Sequence, residues 1–201
     1  MKHLFAALLL SFAHLATSAQ PSSPLRDGDV VFQSNSSPTA QAIRIATHSA
    51  WNHCGIVFIE NGKPYVYEAV QPVRRIPLED WAAQGTDGKF SAKRLRTVSS
   101  VLNGQKRTAL KVAASKHLGK NYDLAFSWSD ERLYCSELVW KAYKESTGIE
   151  LGKRQKLRDF DLSHPLVQAK LKQRYGNKIP LDEEVISPQA LWVSSLLEEV
   201  K

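Results

Sequence analysis

Cysteine is scarce in this chain, with two residues, Cys54 and Cys135, among 201. A framework of several disulfides is therefore excluded, and one pairing at most is available. A metal site is not expected, because His48, His53 and Cys54 lack paired CxxC or HxxxH spacing and the other histidines are scattered. No cofactor is expected. Internal repeats and low-complexity stretches are absent, and past the first residues no run is apolar enough to cross a membrane. The charge is one-sided, 27 Lys and Arg against 20 Asp and Glu. No helix-turn-helix or RNP-type pattern accompanies the surplus, so a nucleic-acid partner is not expected.

What is present begins with a leader. Lys2, the apolar residues 4–13 and the small residues Thr17-Ser18-Ala19 stand in the order of a secretory signal cut after Ala19. The apolar run is too short to span a bilayer. Residues 1–19 are thus expected to be removed, and residues 20–201 to form one exported domain, periplasmic in a Gram-negative cell. The basic clusters at 93–96, 106–107 and 153–158 suit attraction to anionic envelope material, or simply a solvated surface.

In the run Leu133-Tyr134-Cys135-Ser136-Glu137-Leu138-Val139-Trp140 a strand-like approach gives way to a helical apolar pattern, which places Cys135 at a helix start. Exposed N–H groups and the positive end of the helix dipole favour a thiolate there, taking the pKa from about 8.5 to roughly 3.5–7.5. A small buried hydrophobe is the alternative role for such a cysteine. Residues 49–59 contain His53 and, with the following Asn61-Gly62, predict the first arm of a β-hairpin whose second arm is residues 65–70. With Asn61 and Gly62 as the loop, Gly55 lies opposite Glu68, and His53 becomes the diagonal neighbour of Glu68 on one face. Cys135, His53 and Glu68 then match the roles of nucleophile, base and orienting carboxylate. Strand alternation sends Cys54 away from His53, which argues against a Cys54–Cys135 disulfide and makes Cys54 a packing residue.

These segments, with Gly28-Asp29-Val30-Val31-Phe32, Phe126-Ser127-Trp128-Ser129-Asp130 and Phe160-Asp161-Leu162-Ser163, resemble the YiiX-like permuted papain-like amidases, relatives of the NlpC cell-wall peptidases. The order His53, Glu68, Cys135 is what the permuted branch implies. The resemblance implies Cys135 as nucleophile, His53 as base and Glu68 as orienter, with Tyr134 either binding substrate or an oxyanion or packing on the helix shoulder. It also implies an amidase or peptidase acting on cell-wall peptide. A lipid or N-acyl hydrolase or acyltransferase with the same triad is the second enzyme reading, with Trp51, Trp81 and Trp128 as candidate acyl-chain aromatics or ordinary core. A binding module with an inert triad is the third.

Around the site the pattern predicts a strand over 29–33, a helix capped by Ser37 with Pro38 first, and a short helix over 77–83. A strand over 90–95 and a helix between Asn103 and Gly119 follow. Residues 163–175 predict a helix ending at Gly176, and Ser187-Pro188 opens a last one. His48 is expected at a helix end. The tail from 149 is expected to wrap the domain and narrow the cleft. Separated strands, a hairpin and segregated helices give an α+β architecture, which the resemblance specifies as a circularly permuted papain-like fold of NlpC type, an antiparallel sheet packed with helices.

Overall fold

Residues 23–201 are described in the structure, a computed structural model. The expected leader and its cleavage site lie outside the described residues. In chain order the elements are β1 (Val30–Gln33), α1 (Pro38–Thr47), β2 (His53–Glu60), β3 (Lys63–Glu68), β4 (Arg74–Pro77), α2 (Leu78–Ala83) and β5 (Ser91–Leu95). Then follow α3 (Val98–Val101), α4 (Gly104–Ser115), β6 (Asn121–Tyr122), β7 (Arg132–Leu133), α5 (Cys135–Thr147) and β8 (Gln155–Lys156). The tail adds α6 (Pro165–Tyr175), β9 (Glu184–Val185), α7 (Pro188–Trp192) and β10 (Leu197–Glu199).

Six strands form one antiparallel sheet in the order β10-β5-β1-β2-β3-β4. Alternation divides its side chains cleanly. Phe32, Cys54, Ile56 and Phe58 join the core that includes Val139 and Tyr143 of α5, while Val31, Val57 and Val66 meet Trp81 of α2 on the other face. The β2–β3 turn is the two-residue Asn61-Gly62, both with positive φ (50° and 78°), the geometry that matches strand twist. Gly55 is required for close approach: a Cβ there would lie 2.5 Å from Val66 Cγ1 and 2.8 Å from the Tyr67 carbonyl oxygen.

Caps set several helix starts. Ser37 Oγ accepts from Ala40 N at 3.2 Å, Asn103 Oδ1 from Lys106 N at 3.0 Å, and Ser187 Oγ from Ala190 N at 3.0 Å. His48 closes α1 in the left-handed conformation and pairs with Asp161. The α6 start differs from the expected 163: the helix begins at Pro165, and His164 Nδ1 caps it by accepting from Leu166 N. Among the described residues no helix is long and apolar enough to cross a membrane.

Candidate active site

The helix carrying Cys135 begins where Tyr134 is still extended (φ −105°, ψ 169°) and Glu137 Oε2 accepts the Tyr134 N–H at 3.3 Å. Gly148, in the left-handed conformation, ends it. Leu138, Val139, Ala142 and Tyr143 are buried, fixing α5 against the sheet and α4. Cys135 is the first helical residue and is 4% exposed, so its sulfur lies beside the N–H groups that have no acceptor within the helix.

His53 opens β2, and the register Ile56↔Tyr67 carried one residue further sets Gly55 opposite Glu68. The diagonal meeting follows: His53 Nε2 lies 2.5 Å from Glu68 Oε2. That contact leaves Nδ1 as the other ring nitrogen, and α5, which Cys135 begins, packs against β2, so that Cys135 acts on the charge of the ring. The carboxylate of Glu68, fully buried, also accepts from Trp81 Nε1 at 2.9 Å and from Arg74 Nε at 2.8 Å. Arg74 stands directly across from it in the β3–β4 ladder. Neither Trp81 nor Arg74 stood out from the sequence as a partner of Glu68; Trp81 read as core or acyl-chain aromatic, and Arg74 lies on a strand without alternation.

Burial opposes charge on all these groups, and hydrogen bonding decides otherwise. Burial alone would lower the His53 pKa, but the bonds to Cys135 and Glu68 and their negative charges push it from 6.5 up to about 10. Burial would raise Glu68; its bond to His53, then Arg74, holds it below the usual value. For Cys135 the leading cause is a hydrogen bond from the Cys54 side chain, which outweighs burial together with the bond and charge of His53 and brings the thiol well below its ordinary value. Cys54 moves up correspondingly, through burial first and then its bond to Cys135. Both directions favour a charged Cys135 thiolate and a charged His53 ring.

Cys54 is the main correction to the sequence reading. Both cysteines are free and buried, but Cys54 is not turned away from Cys135. Helix α5 packs on the Cys54, Ile56 and Phe58 face, so alternation aims Cys54 at the nucleophile's helix and His53 at the Trp81 face. Cys54 and Cys135 belong to one buried cluster, and His53 precedes Cys54 at the start of β2. The Cys54→Ala variant is therefore expected to shift the midpoint of Cys135 alkylation upward by about one pH unit, the scale of one modest hydrogen bond to a charge. An unchanged midpoint in a pH series with iodoacetamide would remove Cys54 from this role.

Cys135 also lies at the wall of an open cleft of about 100 Å³ between α1 and α6. Tail residues Leu157, Phe160, Val185 and Ile186 supply the far wall. Two bonds strap that tail to the nucleophile helix: Ser136 Oγ donates to the Ile186 carbonyl at 2.7 Å, and the Tyr134 hydroxyl accepts from Ile186 N at 3.1 Å. Tyr134 is buried, edge-on to Phe126 at 5.1 Å, and lines the cleft. Trp51, Trp81 and Trp128 do not line it. Trp51 stacks with Trp192, Trp81 holds Glu68, and Trp128 meets Trp140 beneath the Arg154 guanidinium. Among the described residues no group of three or more His, Cys, Asp or Glu could hold a metal ion.

Residues 24–201 match the family described as permuted papain-like amidase enzyme, YaeF/YiiX, C92 family. An uncharacterized protein, YiiX of Escherichia coli (strain K12), is 46% identical over 200 residues, covering 100% of this chain and 96% of that protein. A crystal structure described as metalloprotein YiiX from Escherichia coli O157:H7 superposes with a TM-score of 0.83 at 48% identity, over 88% of this chain and 96% of that one. The antiparallel sheet packed with helices and the match over nearly the whole chain agree: this chain belongs to the permuted papain-like amidase family of YaeF and YiiX.

Proposed function

We propose that this chain is an exported cysteine hydrolase that cleaves an amide through Cys135, His53 and Glu68. The supporting observation is the buried 2.5 Å contact of His53 Nε2 with Glu68 Oε2 at the start of β2, against which α5 packs with Cys135 as its first residue. The thiolate attacks the carbonyl carbon, and the backbone N–H of Cys135 at the helix start takes the developing oxyanion. The His53 imidazolium then protonates the leaving amine as the C–N bond breaks, and the acyl group remains as a thioester. Water, giving its proton back to His53, releases the acid and restores the thiolate. Glu68 holds the ring in place and stabilises its charge.

The sequence resemblance to NlpC-type enzymes supports cell-wall peptide as substrate, and the same triad would serve an acyl lipid or N-acyl compound. The metalloprotein description belongs to the E. coli structure; among the described residues of this chain no group of three or more His, Cys, Asp or Glu could hold a metal ion. The deciding experiment incubates the protein and its Cys135→Ala variant with purified muropeptides and with acyl lipids, and reads products and protein mass by mass spectrometry. A thioester on Cys135 and products absent from the variant are expected. A protein that stays unmodified by any substrate, and by a thiol-directed acylating probe at neutral pH, would instead be a binding module.

A further inference from the structure

Glu137 stands at the third position of α5, where a carboxylate reaches back to the N–H of the residue before the helix. Its side chain is fully buried, and a glutamate is almost never so unless a cation answers it. The cation is Lys141, one turn on, whose Nζ lies 2.9 Å from Glu137 Oε1 with 13% of its side chain exposed. Lys141 is fixed in turn from outside the helix. It donates to the Ser129 carbonyl at 2.6 Å and to Asp130 Oδ1 at 2.7 Å, and lies 5.0 Å from the centre of the Trp128 ring. Neither Glu137 nor Lys141 lines the cleft at Cys135, so neither side chain meets a substrate there.

What the pair acts on is Tyr134. Its N–H donates to Glu137 Oε2 at 3.3 Å, its carbonyl accepts from Leu138 N at 3.1 Å, and its hydroxyl accepts from Ile186 N at 3.1 Å. The peptide between Tyr134 and Cys135 carries the N–H that meets the oxyanion, so anchoring residue 134 at both its N–H and its carbonyl sets the direction of that donor. Small errors of placement have large effects on rate: about 1 Å can lower it about a hundredfold.

We propose that Glu137, paired with Lys141, is a positioning residue that holds the Tyr134–Cys135 peptide with the Cys135 N–H aimed at the oxyanion. This rests on the triad reading, with Cys135 as nucleophile. Burial raises the Glu137 carboxyl from 4.5 to about 7, although the bond and charge of Lys141 and the Tyr134 N–H oppose it; the charge of Asp123 adds to the rise. Protonation would reduce the bond to Tyr134 to that of a neutral pair and leave Lys141 without its buried counter-charge. The other neighbours hold their charge state near neutrality. His117, past the end of α4, is lowered to about 4 by burial and then by Lys120 and Lys116. The Tyr134 hydroxyl is raised well above 10 by burial and then by the charge of Glu137, and Asp130 is held below its usual value by Lys141.

The test compares two reactions of Cys135. Acylation by p-nitrophenyl acetate passes through an oxyanion, whereas alkylation by iodoacetamide is a displacement that needs the thiolate alone. Their rate ratio, followed from about pH 5 to 9, therefore reports the oxyanion donor and cancels the thiolate fraction. In the wild-type protein the ratio should rise about tenfold or more through about pH 7. In Lys141→Met the midpoint should move up by about one unit or more, and Lys141→Arg should return it toward the wild-type value. In Glu137→Gln, whose one amide oxygen cannot serve both Tyr134 and Lys141, the ratio should be low and level with pH. Both rates are read on the Cys135 peptide by mass spectrometry, and circular dichroism follows the fold separately. Should Glu137→Gln fail to fold, the wild-type profile and the two Lys141 variants decide alone. A ratio level with pH in the wild type, or a midpoint that Lys141→Met leaves in place, overturns this proposal and leaves the triad standing. A wild-type Cys135 that p-nitrophenyl acetate never acylates overturns the triad reading and this proposal with it.

Discussion

Replacing His53 with alanine is expected to reduce hydrolysis by about 10⁴-fold or more, and to move the midpoint of Cys135 alkylation up toward the ~8.5 of a free thiol. The two effects share a cause. In the folded protein the imidazole stays charged to about pH 10, and its proton both supports the thiolate and serves the leaving group. Without the ring, the bond from Cys54 and the helix-start N–H groups remain, so the midpoint stops somewhat short of the free value. Titrating the alkylation rate separates the contributions. Wild-type Cys135 should still react well below neutral pH, and a wild-type rate that falls off like an unperturbed cysteine would rule out the ion pair.

The Glu68→Gln variant is expected to cost about 3–5 kcal/mol of stability, the range for breaking a buried charge pair, together with a loss of activity of about 10²-fold to 10⁴-fold. Three donors, from His53, Trp81 and Arg74, converge on the carboxylate, and one amide oxygen cannot receive them all. Arg74 is 40% exposed at its side chain, so water recovers part of its charge, and the cost falls mainly on His53. The deficit depends on pH in a definite direction. His53, raised from 6.5 to about 10, contributes its full stabilisation below 6.5 and loses it as pH climbs toward 10. Glu68, lowered from 4.5, contributes above 4.5 and loses its share on acidification. Urea unfolding of both proteins should therefore differ most between about pH 4.5 and 6.5, with the gap narrowing on either side. A deficit that is flat with pH would place the effect in packing instead of charge.

The hairpin that brings His53 to Glu68 was readable because Asn61-Gly62 admits one turn type, and that turn sets the register. The helix start at Cys135 was readable from the switch between two apolar periods. The facing of Cys54 was not. Alternation says that neighbours point apart, but only the packing of α5, decided by residues more than 80 positions away, says which of the two faces it covers. β4 and β10 escaped notice for a related reason: Arg74–Pro77 and Leu197–Glu199 are short, largely polar edge strands that carry no alternating apolar pattern. The pattern located α6 to within two residues, with Pro165 setting its first residue and His164 its cap. The cleft was out of reach because its walls, α1 and α6, are more than a hundred residues apart and meet only through tertiary packing.

Surface turns ordinarily absorb insertions and deletions, since their length has little effect on what they join. The Asn61-Gly62 turn does not share that tolerance. One extra residue there would rotate Glu68 to the opposite side of its ribbon, stranding the imidazole from its carboxylate while leaving every strand intact. Two extra residues would restore the facing. Length changes at this turn are therefore tolerated in pairs, and descendants of this chain can drift in size here only by even steps.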